Sequence, residues 1–206
     1  MTDPAPKSAR DTRRQCMLEI AREVFLAEGY AAASMSTIAA RLGGSKGTLY
    51  NYFRSKEELF EAFVRYECEA EADAAFALDP EEADVARALM GLGERVVAFV
   101  TSDKAVAIHR VVIAEAGRFP ELGRAFWEQG PKLRVAKLAA YLQRAMADGR
   151  LRDGDPQRAA EQFLALCRAG LHEQRLWNIH GKPSAEEIRS NVEAAVSGFM
   201  AMYGTR

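Results

Sequence analysis

Residues 34–58, SMSTIAARLGGSKGTLYNYFRSKEE, hold the densest set of side chains suited to one task, contact with a polyanion. Ser45, Lys46, Gly47, Thr48, Tyr50, Asn51 and Tyr52 bring hydroxyls, an ammonium, an amide and a missing side chain into one short run. Hydroxyl and ammonium groups bond phosphate oxygens, and Lys46, Thr48 and Asn51 are also polar and long enough to reach base edges. Gly47 lets the backbone approach a groove. Free amides at helix starts, around Ser36, Ser45 and Lys56, favour an anion there. Lys56 sits in the first turn of its helix, against the dipole, which a phosphate partner would offset. Arg10, Arg13 and Arg14 read either as an arm following the DNA backbone or as a solvated tail.

These groups need a rigid mount. Met17, Ile20, Val24 and Phe25 make an apolar stripe on an expected helix over 11–28, which Gly29 stops. Ser34 is placed as the N-cap of a short second helix carrying Met35, Ile38, Ala39 and Leu42, broken by Gly43-Gly44. Ser45 caps a third helix over 46–53, with Leu49 and Phe53 turned into the core. Two short helices across a glycine turn, packed on a preceding helix, form a helix-turn-helix. Ser55 and Glu58 make a capping box that opens a long fourth helix to about Leu78. Asp79-Pro80 restarts the chain. Further helices are expected over 81–101, 103–117, 121–129, 131–148, 156–179 and 185–203, separated by Phe119-Pro120, Gly130-Pro131, Asp155-Pro156 and Gly181-Lys182-Pro183.

At these residues the chain resembles the TetR family of bacterial regulators, through the run T-I-A-x-x-x-G-x-S-K-G-T-L-Y-x-Y-F-x-S-K-E-E-L and the Gly29-Tyr30 pair before it. The resemblance implies an all-α homodimer that places its recognition helix, 46–53, in the major groove of a palindromic double-stranded operator. It implies DNA contact by Ser36, Thr37, Ser45, Lys46, Gly47, Thr48, Tyr50, Asn51, Tyr52 and Lys56. Gly44 departs from the pattern, standing where the family carries an apolar residue. The segment RVVIAEAGRFPELGRAFWEQGP, residues 110–131, is similar to the AefR-like branch, associated with control of efflux genes. The domains expected are an arm over 1–10, a helix-turn-helix domain over 11–54, and a helical effector-binding and dimerisation domain over 55–206.

Charge and composition agree with such a protein. Residues 7–56 carry nine Lys or Arg against four acids, although the whole chain has a net charge of −1. A basic head on an acidic body touches a polyanion at one end only. Apolar residues make up 49%, enough for a large core. No apolar run approaches the roughly 20 residues of a membrane span, and MTDPAPKSARDTRR has no apolar leader core, so a cytoplasmic protein with no membrane partner is expected.

The body offers candidates for a small-molecule site: Phe63 and Tyr66, Val96 and Phe99, Val106, Arg110 and Ile113, and Phe126 with Trp127. For any single one of these, ordinary core is the favoured reading. His109, Arg110 and Glu115 are polar groups in an apolar helix, able to orient a ligand or to pair with one another. Phe163, Leu164, Cys167 and Leu171 form one stripe, with Ala169-Gly170 permitting close approach; Val192, Val196, Phe199 and Tyr203 form another. The two stripes suit a four-helix dimer interface or burial within one protomer, and the resemblance favours the dimer. Catalysis finds no support: there is no GxSxG, P-loop or GxGxxG. His109, His172 and His180 lack zinc spacing, so no catalytic residue, metal ligand or cofactor is assigned. A DNA-binding protein without effector, constitutive or activating, is the alternative; an enzyme with a fused DNA-binding head is a third and weaker one.

Overall fold

The computed structural model describes residues 8–78 and 82–205, and all their side chains except those of 68–74. Residues 1–7 of the expected arm and the Asp79-Pro80 restart lie outside the described residues. The described chain is α-helical: α1 (Ala9–Ala32), α2 (Met35–Arg41), α3 (Lys46–Tyr50), α4 (Lys56–Ala75), α5 (Val85–Val100), α6 (Asp103–Glu115), α7 (Pro120–Gln129), α8 (Pro131–Ala147), α9 (Pro156–Arg168), α10 (Leu171–Leu176) and α11 (Ala185–Tyr203). The helices gather into two compact units, Met1–Glu67 with Val111–Phe126, and Cys68–Arg110 with Trp127–Arg206.

In the first unit, local sequence sets the helix ends. Ser8 and Asp11 form a capping box, so α1 begins two residues before its expected start and takes in Arg10, Arg13 and Arg14. These arginines are therefore helical residues, neither a free arm nor a tail. Arg10 stacks over Tyr52 at 5.8 Å and Arg14 over Phe53 at 5.3 Å. Gly29 adopts φ 77°, outside helical space, and ends the regular part of α1. Phe25, Tyr30, Phe60 and Phe63 are each at most 1% exposed and pack with ring centroids 5.2–5.9 Å apart. Burying one such side chain contributes about 1.5–3 kcal/mol, so this knot anchors the unit.

In the second unit, α5, α8, α9 and α11 enclose one core containing Leu89, Val96, Leu138, Leu142, Phe163 and Phe199. The expected helix over 156–179 is two helices. It breaks at Ala169-Gly170, where Gly170 takes φ +78°, and restarts as α10. The chain end is pinned by an antiparallel bridge between Leu151 and Gly204, with Arg152 N–H donating to the Tyr203 carbonyl at 2.7 Å.

Candidate nucleic-acid interface and effector cavity

The candidate surface is built from two caps and two buried anchors. Ser34 Oγ accepts from Thr37 N–H at 3.0 Å and Ser45 Oγ accepts from Thr48 N–H at 3.2 Å, fixing where α2 and α3 begin. Gly43 turns the chain between them with φ +65°. Leu49 and Phe53 are each 1% exposed and hold α3 against its support. This leaves Ser45, Lys46, Gly47, Tyr50 and Asn51 exposed, with Thr48 and Tyr52 half-buried. On α2, Ser36 is exposed and Thr37 half-buried, its hydroxyl 2.9 Å from Ser34 Oγ.

α3 is shorter than the expected 46–53. Regular helix stops at Tyr50 and Asn51 is its C-cap, but Tyr52 and Phe53 N–H both still donate to the Leu49 carbonyl at 3.0 Å. The segment tightens at its end because Phe53 must reach the core. Gly44 is open: a Cβ there would meet nothing within 4 Å, and a cleft of about 200 Å³ beside it is lined by Arg13, Cys16, Met17 and Leu42.

Lys56 has partners within the protein. Its ammonium donates to the carbonyls of Tyr30 at 2.8 Å and Ala33 at 3.1 Å, and lies 4.2 Å from the Tyr30 ring centroid. It closes the end of α1, where exposed carbonyls attract a cation, instead of standing free for a phosphate. Burial, followed by Glu57, drives the Tyr30 phenol pKa upward. The Glu57 carboxyl is held low, first by the Ser55 hydroxyl.

The small-molecule candidates fall apart into several roles. Phe63 belongs to the aromatic knot of the first unit, and Tyr66 is half-buried in that unit. Ile113, also of that unit, is 60% exposed. Phe126 is half-buried. In the second unit Val106 is buried, and Arg110 donates to the carbonyls of Arg175 at 2.7 Å and Leu176 at 2.9 Å, capping the end of α10. His109 Nδ1 lies 3.2 Å from His172 Nε2, with the rings stacked at 5.1 Å. Burial lowers both imidazoles, His172 to about 4. Glu115, in the first unit, accepts from Ala31 N–H at 3.1 Å. His109, Arg110 and Glu115 thus bond to other elements.

A cavity of about 100 Å³ does exist in the second unit, and two expected residues, Val96 and Trp127, line it. Phe76, Val100, Val135 and Leu164 complete its apolar wall, and Arg134, Glu161 and Arg168 supply charge. Phe99 packs beside it under the Arg134 guanidinium, 4.8 Å from the ring centroid. The sequence reading missed Arg168, although a cation four residues after Leu164 on an apolar helix face was the available signal.

The dimer candidates are corrected too. Phe163, Cys167, Val192 and Phe199 are 0% exposed within one protomer, and Leu164 and Val196 are 6% and 7% exposed. Phe163 and Phe199 meet edge to face at 5.5 Å, so these stripes form the protomer's own core. Leu171 and Tyr203 are half-buried, and Tyr203 Oη donates to Gln162 Oε1 at 2.5 Å. The Cys167 thiol is pushed up to about 12 by burial, which leaves it inert.

A buried support presenting one short polar helix defines a helix-turn-helix DNA-binding regulator. Residues 17–63 match the family described as "Bacterial regulatory proteins, tetR family", and residues 87–205 match "AefR-like transcriptional repressor, C-terminal domain". The chain belongs to the TetR family of transcriptional regulators, with an AefR-like C-terminal region. Among solved structures it is similar to the "Flavonoid-responsive Regulator FrrA", with 33% identity, coverage of 95% of this chain and 98% of that one, and a TM-score of 0.85. It is 26% identical to the "HTH-type transcriptional repressor Rv1474c" of Mycobacterium tuberculosis over 81% of this chain and 85% of that protein. It is 50% identical to the "HTH-type transcriptional activator FasR" of Mycolicibacterium smegmatis over 27% of this chain, a match spanning only 26% of that protein. Among the described residues no helix is long and apolar enough to cross a membrane.

Proposed function

We propose that the protein is a cytoplasmic homodimeric repressor that binds a palindromic operator through α3 and is released by a small apolar or amphipathic molecule. The observation that carries this is the split of 45–53: Leu49 and Phe53 are sealed inward while Lys46, Tyr50 and Asn51 face out. Ser36, Thr37, Ser45, Gly47, Thr48 and Tyr52 flank them and supply hydroxyls and close backbone approach. Lys56 drops out of the first rank of contacts because two carbonyls hold its ammonium. Residues 11–54 act as the DNA-binding domain and 55–206 as the effector and dimerisation domain. The dimer would use what α9 and α11 leave outward, such as Ala165, Ala194, Ser197 and Met202, since the apolar stripes are spent inside the protomer. FrrA is named for its response to flavonoids, which supports an effector with a ring. Selection of bound duplexes from a random pool should yield a palindrome, with affinity that falls steeply with salt and is lost on adding the effector. An effector that binds tightly but leaves operator affinity unchanged would refute the release mechanism. FasR, matched over 56 residues, is named an activator, so a constitutive or activating regulator is the second reading; a transcription assay with and without the protein decides the sign.

A further inference from the structure

Among the described residues Arg168 has no ion-pair partner. It closes α9, and its Nε donates to the Leu164 carbonyl at 3.2 Å. Among the described residues no carboxylate pairs with it, and its terminal nitrogens have no partner. An arginine at a helix C-terminus ordinarily reaches water and gains from the dipole there. This one, half-buried, also lines the apolar cavity with Phe76, Val96, Val100, Trp127 and Leu164. Burial pulls its guanidinium below the usual range. Its charge acts on Cys167, His109 and His172, whose shifts are set first by burial. Glu161, on the same cavity, is exposed and accepts from Gln157 Nε2 at 3.0 Å instead. Arg168 is half-buried and its terminal nitrogens are unbonded, so an incoming anion can pair with them without displacing a protein partner. The guanidinium fork matches a carboxylate, which can accept two parallel hydrogen bonds.

We infer that this cavity is a site for a small organic acid, a single ring or short apolar chain bearing a carboxylate that pairs with Arg168. The inference rests on the reading of the protein as effector-responsive and narrows the effector to an anion. The size argues for a small ligand: about 100 Å³ is well below the roughly 300–1,000 Å³ of drug-sized pockets. Arg134, stacked on Phe76 at 5.2 Å and Phe99 at 4.8 Å, adds a second positive charge along the wall.

The test uses the full chain carrying Trp177→Phe, which leaves Trp127 as the only tryptophan beside the cavity. Benzoate and phenylacetate are titrated against their uncharged isosteres, benzamide and phenylacetamide, following Trp127 fluorescence and thermal midpoint. The acids are expected to bind at least about tenfold tighter than the amides, a difference of one charge-assisted pairing. Arg168→Gln should erase that preference while amide binding persists, and Arg168→Lys should retain part of it. Equal binding of acids and amides, or no binding of either acid, overturns the inference, and neither outcome depends on whether an Arg168 variant folds; Trp177 is 68% exposed, so its replacement leaves the core untouched. The regulatory reading fails separately: acids that bind through Arg168 without changing operator affinity leave the site standing and remove its role as effector site. Release of DNA by uncharged molecules alone keeps the effector-responsive reading and removes the anion as the effector.

Discussion

The head and the body of this protein fail and succeed differently as sites. In the head, the groups that matter sit within one run of residues and point outward because their neighbours in sequence point inward. In the body, the cavity is assembled from α5, α7, α8, α9 and the residue that follows α4, positions far apart in sequence. Residues that look functional there by type, such as Phe163 and Cys167, are spent on packing. A site on one short segment can be specified locally; a cavity is specified only by the whole fold.

The sharpest way to break this contrast is Phe199→Ala. If the α11 stripe is protomer core, the truncation should cost about 3–5 kcal/mol of unfolding free energy, measured by urea denaturation. A variant that dissociates to a folded, equally stable monomer would restore the stripe to the dimer interface.

Next comes Lys56→Met. Loss of a charged donor to two carbonyls should lower stability by about 1.5–3 kcal/mol, with little change in the salt dependence of DNA binding. Unchanged stability together with a salt slope reduced by about one would return Lys56 to the phosphate contacts.

The histidine pair tests whether the body's polar groups are structural. His172 has an ordinary value of 6.5 and is lowered to about 4 in the folded chain by burial, with His109 second. Between those values the unfolded chain holds a proton that the folded chain does not. Stability should therefore fall as pH drops through that window, by about 1.4 kcal/mol per unit at most. His172→Gln should flatten the fall between about pH 6.5 and 4; an identical slope in the variant would show that other groups set it.

The smallest effects concern the turn. Gly43→Ala places a Cβ on a backbone at φ +65° and should cost about 1 kcal/mol. Gly44→Ala meets nothing within 4 Å at an ordinary φ and should gain about 0.4–1 kcal/mol. Equal losses from both would mean that the turn is not held as described.

What the sequence disclosed follows the same division. Ser34 and Ser45 were readable as caps because their partners lie three residues on. Leu49 and Phe53 were readable as core because a fixed helical spacing sets them against the polar positions between them. Lys56 was not readable: its partner Tyr30 is 26 residues away, and charge alone suggests a phosphate equally well. Arg110, bonded across 66 residues to the Leu176 carbonyl, escaped for the same reason. The stripes on α9 and α11 were correctly seen as apolar, but periodicity cannot say whether a neighbouring helix or a second chain covers them. Ala169-Gly170 suits close helix approach by its small size, yet it ends α9, because one glycine serves either purpose.

The claim beneath all of this is that α3 reads DNA with its outward face. Fluorescence anisotropy of a selected palindrome with wild type, Lys46→Ala and Asn51→Ala, at two salt concentrations, tests it directly. The account predicts losses of about 10–100-fold for each variant on the selected site, equivalent to roughly 1–3 kcal/mol, with the fold and dimer intact. Undiminished, sequence-selective binding by both variants would contradict it.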